Sequence, residues 1–197
     1  DLMSHVYDVT YGIVKNDRDT LVLLDDSIVR GTTLKQSIIN ILSKLFPKKI
    51  IIVSSAPQIR YPDCYGIDMS VMKSFVAFQA VIEMLEESGR EELIEEVYHK
   101  CKEQEHLPKE MMTNHVKSLY DVFTDKEISE RIARIVRPDN LPYDLEILFQ
   151  SIDGLHAACS EEVGDWYFSG DYPTPGGTKV VNQAFINYME KSTERAY

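Results

Sequence analysis

LVLLDDSIVRGTT, residues Leu21 to Thr33 of this 197-residue chain, decides the fold. Leu21, Val22, Leu23 and Leu24 form a short continuous apolar run, the pattern of a strand buried on both faces of a parallel sheet. Asp25 and Asp26 follow where that strand ends, at the carboxyl edge where open α/β sheets place their ligands. Adjacent carboxylates accept hydrogen bonds from a sugar diol and can hold a hard cation such as Mg²⁺, directly or through its waters. The next residues supply hydroxyls on Ser27, Thr32 and Thr33, a guanidinium on Arg30 and a flexible backbone at Gly31. Leu34, Ile38, Ile41, Leu42 and Leu45 then recur at near-helical spacing, with Pro47 beyond the end. The loop therefore feeds a helix N-terminus, where unpaired amides and the macrodipole favour an anionic phosphate. Singly, a pair of aspartates is also a solvated turn and Gly-Thr-Thr also a cap; joined, the string suits a sugar phosphate.

Outward from that stretch, Ile50 to Val53 is a second β-branched run, placed to complete a strand, helix, strand unit with right-handed crossover. Pro57 and Pro62 break regular structure in SSAPQIRYP, which puts a loop on the same sheet edge as Asp25 and Asp26. From about Lys73 to Val136 the composition shifts to helix formers, acidic residues and Met. Phe75, Phe78, Val81, Ile82 and Leu85 form one apolar stripe, and Leu93, Ile94, Val97 and Tyr98 another, so two antiparallel helices flank Ser88 and Gly89. Lys109 to Phe123 predicts a third, weaker helix. Thr124 to Glu127 has the form of a capping box and opens a fourth, which stops by Arg137 and Pro138. Met72, Met84, Met111 and Met112 read as core filler, and the acidic run from Glu83 to Glu105 as a solvated helix face. Asp144 to Phe149 reads as a strand and Ser151 to Ala158 as a short helix capped by Ser151. The aromatic tail DWYFSGDYPTPGG is expected to lie against a domain surface, and Gln183 to Glu190 to form a terminal helix that frays.

Composition narrows the classes of partner. A formal charge of −11 argues against a nucleic-acid surface, which relies on clustered Lys and Arg. No apolar run approaches the roughly 18 residues of a membrane span, and no basic then apolar leader is visible, so the cytoplasm is the simplest compartment. Cys64, Cys101 and Cys159 are widely spaced and odd in number, which predicts buried or half-buried free thiols instead of a disulfide framework. No two of His5, His99, His106, His115 and His156 stand at the i, i+4 spacing of a zinc site, and His99 and His106 read as exposed.

LVLLDDSIVRGTT resembles the phosphoribosyl pyrophosphate signature of the type I phosphoribosyltransferases. SSAPQIRYPDCYGIDM, Ser54 to Met69, narrows the resemblance to the glutamine phosphoribosylpyrophosphate amidotransferases. The resemblance is dense from about Ser4 to Met69 and returns weakly from Thr124 to Thr174. It implies an α/β fold with a truncated parallel sheet of the type I phosphoribosyltransferase kind, carrying a helical insertion over about 70–120 and a C-terminal extension over 144–197. It implies that Asp25 and Asp26 contact the ribose hydroxyls and Mg²⁺, while Ser27, Arg30, Gly31, Thr32 and Thr33 cradle the 5′-phosphate. The implied reaction is the first committed step of purine synthesis, in which ammonia from glutamine displaces pyrophosphate from C1 of the ribose.

The family also carries an N-terminal glutaminase with a cysteine nucleophile, a pyrophosphate-binding turn and a mobile loop upstream of the signature, and none is found in these residues. Residues 1–197 are therefore expected to be the C-terminal portion of a phosphoribosyltransferase domain, without catalytic residues of its own and inactive alone. Some relatives hold an iron–sulfur cluster through a closely spaced cysteine pair; no such pair exists here, Cys64 stands one place later than their cluster cysteine, and the cluster is expected to be absent. Tyr65 and Asp68 face either the active site or the glutaminase, or only pack their loop on the sheet. The resemblance further implies feedback by purine nucleotides and a homo-oligomer. Two alternatives fit the signature: a nucleobase phosphoribosyltransferase, and a non-catalytic phosphoribosyl pyrophosphate sensor.

Overall fold

A computed structural model describes residues 10, 12–32, 34–63, 69–161 and 164–196. Three strands, β1 (Thr20–Asp25), β2 (Lys49–Ser54) and β3 (Asp144–Phe149), form a parallel sheet in the order β1-β2-β3. Leu23 stands beside Ile52 and Ile52 beside Ile147, so the register carries one apolar row across the sheet. The α/β class with a parallel sheet is as the sequence implies, and all three strands fall within a residue of their predicted bounds.

Burial departs from expectation on β1. Its residues alternate between exposed and half-buried, with Val22 58% and Leu24 77% exposed, instead of being buried on both faces. The reason is one-sided cover. Ile50, Ile52 and Ile147 point into the core beneath the helices, while Val22, Leu24 and Leu148 point to the opposite face, which no described helix covers.

The link from β1 to β2 begins with a π-helical turn, Leu34–Ile38, and continues as α1 (Ile39–Ser43). The wide turn shifts the apolar face, so that Leu34, Ile39 and Leu45 are the buried positions. Next, α2 (Val76–Glu87) and α3 (Glu91–Glu103) form a hairpin through Gly89, whose φ of 67° suits a residue without Cβ. Phe75, Phe78, Val81, Ile82 and Leu85 are all buried, as their spacing predicts.

The helix expected over Lys109 to Phe123 is broken instead into a 3₁₀ turn at Lys109–Met111 and a single turn, α4 (Lys117–Tyr120). Tertiary hydrogen bonds override local propensity there. Thr113 N donates to Gln104 Oε1 at 2.7 Å, Asn114 Nδ2 to the Gly170 carbonyl at 3.0 Å, and Asn182 Nδ2 to the Thr113 carbonyl at 3.0 Å. Met111 sits on the 3₁₀ turn, 66% exposed, and is not core filler, whereas Met72 is buried.

The capping box forms as predicted: Glu127 N donates to Thr124 Oγ1 at 3.3 Å and Thr124 N donates to Glu127 Oε2 at 2.8 Å, opening α5 (Asp125–Val136). Ser151 Oγ likewise accepts from Gly154 N at 2.9 Å and caps α6 (Ile152–Ala158). In the tail, α7 (Trp166–Ser169) is followed by α8 (Pro175–Met189), which begins eight residues before the predicted terminal helix. Pro175 suits the first turn, and a Cβ at Gly177 would fall 2.1 Å from Cδ1 of the Tyr172 ring. Nor is this helix a frayed end: Val180, Val181, Ala184, Phe185 and Ile186 are buried, and Phe78 meets Phe185 and Tyr188 edge-on at 6.1 and 4.8 Å.

Candidate functional site

The strand ladder sets the site. Asp25 is the last residue of β1 and pairs with Ser54, the last of β2, so both chains leave the sheet side by side at its carboxyl edge. There the loop after β2 is stapled to the aspartate backbone: Ser55 N donates to the Asp25 carbonyl at 2.9 Å and Ala56 N to the Asp26 carbonyl at 3.0 Å. Ser55 Oγ bridges the same two carbonyls at 3.3 and 3.1 Å. The sequence reading did not single out Ser55; its signal is the Ser-Ser pair falling in register with the acidic pair at the ends of adjacent strands.

The two carboxylates bend the turn. Asp26 N donates to Asp25 Oδ1 at 3.1 Å and Ser27 N to Asp26 Oδ1 at 2.8 Å. Partial burial lifts the Asp25 carboxyl above its ordinary range; the Asp26 amide pulls it back, and the Asp26 charge pushes it up again. A bound cation would relieve that crowding, so the pair fits Mg²⁺. Among the described residues no group of three His, Cys, Asp or Glu side chains gathers, so the remaining ligands of such an ion would be waters and substrate oxygens, the usual arrangement for Mg²⁺.

Beyond the aspartates the loop is held from below. Ile28 is buried, the Val29 carbonyl accepts Val76 N at 2.8 Å, and Lys35 Nζ reaches the Ile135 carbonyl at 3.1 Å. Gly31 has a φ of 67°, and a Cβ there would meet Val136 Cγ1 at 2.7 Å and Val76 Cγ2 at 3.3 Å. The loop therefore rests on the start of α2 and the end of α5, with Arg30 and Thr32 exposed and Ser27 half-buried. Thr33, the last of the predicted cradle, lies outside the described residues, as do Cys64, Tyr65, Asp68 and His5. So Asp25, Asp26 and Ser27 share one hydrogen-bonded turn at the end of β1, and Gly31 follows on the same loop.

The other residues weighed from sequence lie elsewhere. His99 and His106 are exposed as read, and Cys101 is buried on α3, donating to Asn182 Oδ1 at 3.5 Å with its thiol pushed up to about 12 by burial. Cys159 is exposed at the end of α6, contrary to the expected buried or half-buried thiol, because that helix buries none of its residues.

An α/β fold with a three-stranded parallel sheet, and an acidic pair and a glycine-bearing loop leaving β1, is consistent with a truncated sheet of the phosphoribosyltransferase type. Known proteins narrow the class: the chain is similar to the amidophosphoribosyltransferase of Haemophilus influenzae, 45% identical over 75 residues, 38% of this chain and 15% of that protein. It is similar to that of Escherichia coli, 51% identical over 61 residues, 30% of this chain and 12% of the relative. With that of Pyrococcus horikoshii it shares 35% identity over 82 residues, 41% of this chain and 18% of the relative. The chain thus spans a small part of the curated relatives it matches. No family model matches it.

Proposed function

We propose that the chain is the phosphoribosyl pyrophosphate-binding part of an amidophosphoribosyltransferase, a pentosyltransferase of purine synthesis. The observation that carries this reading is the Asp25–Asp26 pair at the carboxyl end of β1, continued by the Ser27–Thr32 loop that turns at Gly31. The named relatives, from two bacteria and an archaeon, support it.

In this reading each part of the turn has a task. The carboxylates of Asp25 and Asp26 accept hydrogen bonds from the ribose 2- and 3-hydroxyls and fix the sugar ring at the sheet edge. Amides and hydroxyls of Ser27 to Thr32, with Thr33 as the sequence implies, receive the 5′-phosphate, and the guanidinium of Arg30 adds charge complementarity on a chain of net charge −11. Ser55, bridging the carbonyls of Asp25 and Asp26, keeps the turn from opening. Mg²⁺, when bound, supplies neutralisation of the pyrophosphate oxygens, and Asp25 and Asp26 are the residues that would hold it.

The reaction for the whole protein breaks the bond between C1 of the ribose and the pyrophosphate oxygen, which leaves with the electron pair, and forms a C1–N bond to ammonia. Holding the ring rigidly while positive charge develops at C1 is what the pair contributes. The glutaminase that releases ammonia, feedback by purine nucleotides, a homo-oligomeric state and a cytoplasmic location belong to the same proposal. No described helix is long and apolar enough to cross a membrane. The division into a 70–120 helical insertion and a 144–197 extension, and function without an iron–sulfur cluster, are also proposed. The wide spacing of Cys64, Cys101 and Cys159 along the sequence, with no closely spaced pair, supports the last point. Binding of ribose 5-phosphate by calorimetry, with and without Mg²⁺, tests the site.

A further inference from the structure

β3 is the last strand of the sheet among the described residues, and its outer edge is unpaired. Gln150 N donates to the Ser54 carbonyl, which fixes the phase of the parallel ladder: residues 144, 146, 148 and 150 bond β2, and Leu145, Ile147 and Phe149 turn their N–H and C=O groups outward. No hydrogen bond within the described residues reaches those six outward groups. The strand lacks two of the usual guards against an added strand, for it contains no Pro and its register with β2 runs unbroken, without a bulge, for six residues.

The edge does not face open water. It forms one wall of a cleft of about 640 Å³ whose other wall is α5, through Lys126, Ser129, Glu130, Ala133, Arg134 and Arg137. Most charges in the cleft are already matched: Arg60 with Asp125, Lys126 with Glu130, and Glu146 with Lys49. Arg134 and Arg137 are not. Neither closes an ion pair among the described residues; Arg134 only adds its field to Glu87, and Arg137 Nη2 donates to the Leu141 carbonyl at 3.0 Å.

We propose that this cleft binds an extended peptide segment of a partner protein, added as a fourth strand on β3, with carboxylates at alternate positions lying against Arg134 and Arg137. Charge and spacing carry the choice of occupant. Arg134 and Arg137 lie one turn apart on α5, a rise of about 4.5 Å, and alternate side chains on one face of a strand stand about 6.8 Å apart, within reach of two flexible guanidiniums. A second copy of this chain fits worse. Edge-to-edge pairing of two sheets about a two-fold axis sets the β3 strands about 4.8 Å apart and brings both α5 helices to the same face beside the axis, where helices need about 8–10 Å. A lone strand meets no such obstacle.

The probe is a fluorescein-labelled hexapeptide, Thr-Glu-Val-Glu-Val-Thr with blocked ends, titrated into the chain and read by anisotropy, with amide shifts of Leu145, Ile147 and Phe149 followed by NMR. The expected result is saturable binding with a Kd below about 1 mM, weakened at least tenfold by Arg134→Glu with Arg137→Glu, and abolished when alternate peptide amides are N-methylated. N-methylation leaves the protein untouched, so that arm holds even if the double variant is poorly folded. Absence of saturable binding to a chain shown folded by circular dichroism overturns the proposal, as does binding indifferent to N-methylation. A concentration-dependent dimer that excludes the peptide and is lost in the double variant would assign the edge to a second copy and overturn it too.

Discussion

Gly31→Ala tests how the phosphate loop is held. Two costs add at this position. At a φ of 67° a Cβ is strained by about 1–2 kcal/mol, and the same atom would stand 2.7 Å from Val136 Cγ1 and 3.3 Å from Val76 Cγ2. Overpacking a well-filled contact costs about 1–3 kcal/mol, so the sum is about 2–5 kcal/mol. Gly89 provides the control, because it has the same φ of 67° and nothing within 4 Å of its Cβ position. Gly89→Ala therefore carries the backbone cost alone, about 1–2 kcal/mol. Urea unfolding of the two variants beside the wild type reads both, and at a slope of about 2 kcal/mol/M the Gly31 variant should lose about 1–2.5 M in midpoint. The difference between the variants isolates the contact with α2 and α5. Equal losses at the two glycines would refute the argument that the loop rests on those helices.

Further outcomes follow from the same geometry. Thr124→Ala removes the cap of α5 and should cost about 1 kcal/mol, read as a lower urea midpoint, whereas Thr124→Ser should restore most of it. Because Asp25 is raised, its ionised form is disfavoured in the folded state: Asp25→Asn should raise the melting temperature at neutral pH, and the gain should vanish as pH falls below the ordinary Asp range, where both states are protonated. A gain that persists at low pH would point to packing instead of charge. Ile52→Ala on the covered face should cost about 2–5 kcal/mol, while Leu24→Ala on the uncovered face should stay within about 0.5, and similar losses would deny the one-sided sheet.

Much of the fold was legible because its strands are short, largely apolar runs bounded by polar residues, and its caps are side chains that act on their own backbone. Thr124 with Glu127 and Ser151 with Gly154 are local devices, and both formed where the sequence put them. What sequence could not carry was long-range. Val22 and Leu24 read as buried from their type, but burial depends on whether a helix lies above them. Lys109 to Phe123 reads as a weak helix, yet Gln104, Gly170 and Asn182, outside that stretch, claim the hydrogen-bonding groups of Thr113 and Asn114. The start of α8 was hidden in Pro-Gly-Gly, which reads as a turn until Tyr172 is seen to need the space beside Gly177. In the candidate site the acidic pair was legible from adjacency alone. The part played by Ser55 was not, because it depends on the register of β1 with β2.

The most direct test of the central claim is calorimetric titration of the folded chain with ribose 5-phosphate in the presence of Mg²⁺, beside the double variant Asp25→Asn with Asp26→Asn. The account predicts saturable binding that falls at least tenfold in the variant, since charge-assisted hydrogen bonds contribute about 1.5–3 kcal/mol each. Binding that is unchanged in the variant, or no saturable binding by the folded wild type, would contradict it.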